Sequence, residues 1–186
     1  SYSSDEALVA SYAGGMVDAM QAEGVVATAK HFVGDGGTHT GDDRGDTRLP
    51  LETLLSVHGA GYGPAIDAGV MTVMASFNRW NGDKVHGNKH LLTEVLRGQL
   101  GFEGFVVSDW NGIGEVEGCT DASCPQAINA GIDMVMVPED WRAAINNLVF
   151  QVQSGAIPMA RIDEAVHRIL TTKIAAGLMD RGLPSK

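Results

Sequence analysis

The stretch GFVVSDW, residues 104–110, decides how this sequence is read. Phe105, Val106 and Val107 make a short apolar, β-rich run that ends on Asp109, and the indole of Trp110 follows at once. A buried segment that stops on a carboxylate requires a partner or solvent for that charge. Three more runs have the same character: VVATAKHF (25–32), VMTVMASF (70–77) and DMVMVP (133–138). They are largely continuous in their apolar content instead of strictly alternating, as strands covered on both faces are.

Helical patterns separate these runs. Residues 3–24 open with a capping-box spacing, Ser3 to Glu6, and close at Gly24; residues 88–101 close in the same way at Gly101. Two further helical patterns follow the last run, in residues 139–155 and 158–178, the second with Pro158 at a favoured first-turn position. Between 50 and 69, Gly59, Gly61, Gly63 and Pro64 predict a break in an otherwise helical pattern.

Strands alternating with helices predict an α/β fold of four parallel βα units. Both an open doubly wound sheet and a (β/α)8 barrel are built this way. A whole barrel takes about 250 residues, so a chain of 186 residues reads as one domain, 1–186, forming half a TIM-type barrel. Half a barrel has open sheet edges, which predicts a homo-oligomer formed through them.

Composition narrows the function. Hydrophobic residues are 44% and charged residues 19%, as in a globular protein. The net charge of −10 opposes binding to a phosphate backbone, so no nucleic-acid partner is expected. No apolar run reaches the roughly 18 residues of a membrane span, and no membrane partner is expected. Cys119 and Cys124 fit a small disulfide-closed loop or two free thiols, and the pair leaves both open.

Polar residues collect at the carboxyl ends of the apolar runs: Lys30 and His31 on the first, Ser76 with Asn78 and Arg79 on the second, Asp109 and Trp110 on the third. In parallel α/β architectures those ends form the ligand-binding face. Each residue alone has a structural use. Asp109 suits a helix cap, His31 a buried core, Lys30 a snorkelling rim position, and Met74 and Met136 a core filling. An indole beside a carboxylate, however, suits stacking on a sugar ring. The segment 33–50 is polar and glycine-rich but carries no dinucleotide or phosphate-loop pattern, and its aspartates lack EF-hand spacing, so a solvated acidic loop is expected.

Together KHFVGDGGT, TVMASFNRWNG, LLTEVLRGQLGFEGFVVSDW, AGIDMVMVP and SGAIPMARIDEAVHRIL resemble the later part of the catalytic barrel of glycoside hydrolase family 3, the β-glucosidase and exo-β-glucanase branch. The resemblance implies that Asp109 is a catalytic nucleophile and that Lys30 and His31 hydrogen-bond the sugar. It implies that Trp110 lies beside the sugar subsite, with Met74 and Met136 as apolar walls, and we take Arg79 as a further substrate contact. Where many relatives have tyrosine, this chain has Phe77. The chemistry is retaining hydrolysis of β-linked glucosides or gluco-oligosaccharides through a covalent glycosyl-enzyme, with no metal or organic cofactor. It requires Asp109 to be ionised, which the charges of Lys30 and His31 favour.

The resemblance leaves the acid/base unassigned, because the β-glucosidase branch carries it on a second α/β domain that this chain lacks. Activity is therefore expected to be weak or to depend on a partner. An alternative is a β-N-acetylglucosaminidase using a loop histidine, for which His39 is the candidate. Another is a non-catalytic sugar-binding or assembly fragment. The branch implies a periplasmic or secreted protein.

Overall fold

The computed structural model describes residues 3–180 and 182. Helix α1, Glu6–Ala22, begins at Asp5, whose carboxylate accepts from the Leu8 amide at 3.0 Å. The capping box expected at Ser3 and Glu6 is thus displaced by two residues. Ser3 Oγ accepts from the Asp5 amide at 2.9 Å, and the ionised carboxylate, the stronger acceptor, takes the cap. Next along the chain are β1 (Thr28–Phe32), β2 (Asp46–Thr47), α2 (Leu51–Thr53), α3 (Tyr62–Asp67), β3 (Thr72–Ala75), β4 (Arg79–Trp80) and β5 (Asp83–Lys84). After them come β6 (Phe105–Val107), α4 (Pro125–Ala130), α5 (Trp141–Gln153) and α6 (Met159–Ala175).

The strands β1, β3 and β6 form one parallel sheet in that order, with Thr28 opposite Thr72 and Thr72 opposite Phe105. Ala29, Val73 and Val106 lie side by side across it, and Val73 and Val106 are fully buried. Leu91, Leu92, Val95 and Leu96 in the helical segment His90–Gln99 belong to the same buried cluster. Each such side chain stabilises the fold by roughly 1.5–3 kcal/mol. That segment carries wide, π-type turns, as where the Leu100 amide reaches back to Val95 O at 2.9 Å. The break expected between 50 and 69 falls between the π-helical turns Leu54–His58 and α3.

The fourth βα unit is a correction. The run 133–138 joins the sheet through a single parallel bridge, Val107 to Met134. Backbone bonds flank the bridge, with the Met134 amide donating to Val106 O at 3.1 Å and the Ser108 amide to Met134 O at 2.9 Å. Side chains interleave with them: the Val106 amide donates to Asp133 Oδ2 at 2.8 Å, and the Met136 amide to Ser108 Oγ at 2.7 Å. With side-chain acceptors interleaved among the backbone bonds, the segment runs alongside β6 but pairs through one bridge instead of a regular ladder. The architecture is therefore α/β and TIM-barrel-like, with three parallel strands.

Asp133 is itself part of that interleaving. Its side chain is 0% exposed and receives Arg97 Nη2 at 2.6 Å, Arg161 Nη2 at 2.5 Å and Arg168 Nη1 at 3.2 Å. Arg161 also donates to the carbonyls of Ile128 and Ile132, which fastens α6 to the base of the sheet. Pro158, expected in the first turn of α6, stands one residue before it in the N-cap position, with no side-chain hydrogen bond to the helix.

A second, small sheet, β2–β4–β5, ties down the glycine-rich loop. Thr47 Oγ1 donates to Gly34 O at 2.6 Å and accepts from Asn78 Nδ2 at 3.2 Å. Gly34 has a φ of 105°, and a Cβ there would lie 3.0 Å from Leu54 Cδ1, so glycine is required. Cys119 and Cys124 are joined as a disulfide.

Candidate active site

The carboxyl ends of β1, β3 and β6 bring His31, Ser76 and Asp109 to one cavity of about 410 Å³. Asp35, Asp43, Arg44, Phe77 and Trp110 complete its lining. Adjacent parallel strands end together, so residues far apart in sequence meet at that edge.

Asp109 stands two residues beyond the last residue of β6. Its Oδ1 accepts from the Trp110 amide at 2.7 Å, and its Oδ2 lies 3.6 Å from His31 Nε2. Its own amide donates to His86 Nε2 at 2.9 Å. Asn111, at φ 53°, then turns the chain, and the Gly112 amide closes back on Asp109 O at 3.0 Å. Trp110 is 54% exposed, which leaves the indole as an open platform beside the carboxylate.

His31 is held from its far side, with Nδ1 2.9 Å from Asp35 Oδ2. That hydrogen bond raises the imidazole above its ordinary value, against burial, and the charges of Asp35 and Asp109 add to it while Lys30 opposes. Burial works to raise Asp35, yet the hydrogen bond and charge of His31 outweigh it and hold the carboxyl below its usual range. The result is a chain of groups, Asp35–His31–Asp109, along one wall. An imidazolium there donates to a hydroxyl or carboxylate and favours a negative Asp109.

On the opposite wall Arg44 lies over the Phe77 ring, 5.2 Å from its centroid, and its Nε is 3.3 Å from Glu115 Oε1. Glu115 Oε2 in turn meets Lys84 Nζ at 3.1 Å, and Lys84, with its side chain only 4% exposed, donates to Phe77 O at 3.0 Å. One carboxylate thus ties the acidic loop to the end of β3. Part of that loop is therefore structural wall, although it was expected to be merely solvated. Phe77 occupies the lining without a hydroxyl.

Of the residues expected from the sequence, Asp109, His31 and Trp110 are brought together. Lys30 is exposed and reaches the site through its charge on His31. Met74 and Met136 are half-buried outside the cavity lining. Arg79 is exposed, with Nη1 3.3 Å from Gly82 O in the β4–β5 turn. His39 is exposed in the loop and lines nothing in this cavity. Sequence reasoning missed Asp35, Arg44, Lys84, His86 and Glu115. Asp35 had a signal, four residues after His31, but Lys84 and His86 sit in a turn-like segment that gives no hint of burial. Among the described residues no cluster of three or more histidine, cysteine or acidic groups is arranged to hold a metal ion.

A parallel α/β sheet with a carboxylate, a histidine and an open indole at its carboxyl edge has the make-up of a site that can hold a sugar ring. The model of the glycosyl hydrolase family 3 N-terminal domain matches residues 1–172, and the chain belongs to that family. Exo-1,3/1,4-β-glucanase of a Pseudoalteromonas species has a similar structure, with a TM-score of 0.96 and 53% identity over 98% of this chain and 24% of that one. A β-glucosidase of Listeria innocua, solved in complex with glucose, gives a TM-score of 0.80 at 28% identity, covering 90% of this chain and 25% of that one. In sequence, the lysosomal β-glucosidase of Dictyostelium discoideum is 37% identical over 173 residues, which is 89% of this chain and 21% of that protein. The chain spans about a fifth of the length of such curated relatives.

Proposed function

We propose that this chain carries the nucleophile half of a retaining β-glucoside hydrolase site, of the β-glucosidase or exo-β-glucanase type. The observation that carries this reading is Asp109 at the sheet's carboxyl edge, its Oδ2 3.6 Å from the Nε2 of a histidine that Asp35 holds by a hydrogen bond from the far side, with the Trp110 indole alongside. An Asp109 oxygen attacks the anomeric carbon and the bond from that carbon to the leaving oxygen breaks. A proton goes to the leaving oxygen, and a glycosyl ester on Asp109 remains. Water then cleaves the ester, restoring Asp109 and the β configuration.

His31 and Lys30 serve in this reading as donors to sugar hydroxyls, Trp110 as a stacking surface, and Met74, Met136 and Arg79 as contacts made once a substrate is seated. The group that protonates the leaving oxygen is unassigned, and the exposed position of His39 outside the cavity gives no support to the N-acetylglucosaminidase alternative. The disulfide supports a periplasmic or secreted location, because such bonds persist in oxidising compartments. Exposed Trp141, Ile145 and Val149, at helical spacing on α5, support association with a second copy, which light scattering checks.

The test is incubation with a 2-deoxy-2-fluoro-β-glucoside carrying an activated aryl leaving group, followed by intact mass. Such a leaving group departs without an acid, so Asp109 is probed alone. An adduct on the wild-type chain that is absent in Asp109→Asn is expected. A folded wild-type chain that forms no adduct refutes the nucleophile and leaves a sugar-binding or assembly role.

A further inference from the structure

His86 lies in the short turn Val85–Gly87 and is fully buried. Its neighbours leave its ring little freedom. Phe77 packs edge-on at a centroid distance of 6.0 Å, and a Cβ on Gly112 would lie 2.3 Å from Nε2. Residue 112 is therefore held to glycine by the imidazole itself.

Nε2 accepts the Asp109 amide at 2.9 Å, so the proton of the neutral ring belongs on Nδ1. Nδ1 faces the Ser76 backbone without a well-formed hydrogen bond. The Ser76 amide in turn donates to Phe32 O at 2.7 Å. Contacts thus run from the end of β1 through the end of β3 and His86 to Asp109, beyond the end of β6. This connection occurs where the β3–β6 pairing has stopped, after Met74 and Val107: the Ser108 amide reaches Met134 O, and the Asp109 amide next along is taken by the imidazole. An amide left there without an acceptor is costly, so the backbone would shift to satisfy it and carry the carboxylate out of place.

We propose that His86 is a positioning residue for Asp109, fixing the nucleophile's backbone through the Nε2 lone pair so that the carboxylate faces His31 and the cavity. The proposal rests on the glycosidase reading for its consequence in rate, but the hydrogen bond itself is independent of it. An acceptor role requires a ring without a proton on Nε2. Burial first, and then the nearby charge of Lys84, push His86 down to about 4; the Ser76 backbone and Glu115 act in the opposite sense, and His31 adds to the lowering. The ring is therefore neutral at ordinary pH.

Two variants and one spectrum test this. In His86→Gln the side-chain carbonyl replaces Nε2 as acceptor, whereas His86→Leu removes the acceptor and keeps an apolar filling. With the 2-fluoro-glucoside probe, His86→Leu is expected to lower the saturating rate of adduct formation about 100-fold, the penalty of a misplacement of roughly 1 Å. Its half-saturating concentration should stay within about threefold of wild type. His86→Gln is expected to recover the rate to within about tenfold of wild type. If glutamine is no better than leucine, or if both variants change the half-saturating concentration alone, the positioning role is overturned. Nitrogen NMR of the full wild-type chain provides a second measurement that needs no turnover. A through-hydrogen-bond coupling between the Asp109 amide nitrogen and His86 Nε2 is expected at pH 7, and a protonated Nε2 there overturns the proposal. If the wild type forms no adduct, the hydrolase reading fails by itself, and this coupling still decides whether His86 holds Asp109.

Discussion

Replacing Asp133 with alanine removes the acceptor on which three guanidinium groups and the Val106 amide converge. The contributions are unequal. Arg168 is 23% exposed and 3.2 Å away, so it can turn towards water, and Glu164 is there to receive it. Arg97 and Arg161 are 12% and 11% exposed and bind at 2.6 and 2.5 Å, so they stay where they are. Arg97 is already under strain of this kind: burial pushes its guanidinium down to about 10, Asp133 opposes that, and Arg168 and Arg161 add to the lowering. A hydrogen bond to a charged group contributes about 1.5–3 kcal/mol, and two such bonds place the loss at about 4 kcal/mol. Breaking one side of a buried ion pair costs about the same, 3–5 kcal/mol. Against a total stability of about 5–15 kcal/mol, the variant should lose between roughly a quarter and most of its stability. Asp133→Asn, which keeps the shape and one oxygen, should lose about half as much. Urea unfolding followed by far-UV circular dichroism is the assay, with a fall in midpoint at unchanged slope as the expected result. A loss below about 1 kcal/mol for the alanine variant would refute the idea that this carboxylate holds α6 to the sheet.

Three further outcomes follow from the site and its frame. Asp35→Asn should lower the His31 titration, read from its ring-proton NMR signal. Because the folded value is raised, the His31 contribution fades as pH rises from about 6.5 through the folded value; the lowered Asp35 makes the pair fade again in acid as that carboxyl is protonated, and the asparagine variant should lack both. Glu115→Gln leaves the buried Lys84 ammonium without its counter-charge and should cost about 3 kcal/mol by thermal unfolding; an unchanged melting temperature would show that Lys84 is satisfied by Phe77 O. Reducing the Cys119–Cys124 bond opens a loop with a sequence separation of 5 and should cost about 2 kcal/mol by the loop-entropy relation, read as the difference in urea midpoint with and without reductant.

The sequence by itself determined the class of the fold and the centre of the site. The apolar runs 25–32, 70–77 and 104–110 pointed to parallel strands, and the carboxylate closing the third run marked the edge where the cavity lies. Tertiary structure decided the remainder, because it depends on which chain segments meet. In 133–138 the apolar pattern promised a strand, but the Asp133 and Ser108 side chains interleave with its backbone hydrogen bonds and leave a single bridge, which a periodicity count does not weigh. Lys84 and His86 sit in a segment with the composition of a surface turn, and they are buried because the Glu115 turn and the end of β6 close over them. Arg79 and His39 were further candidates on paper, as a substrate contact and as an alternative acid/base, yet both lie outside the cavity lining. Local patterns reveal what each segment must bury, whereas the partner of a polar group is set by long-range contacts.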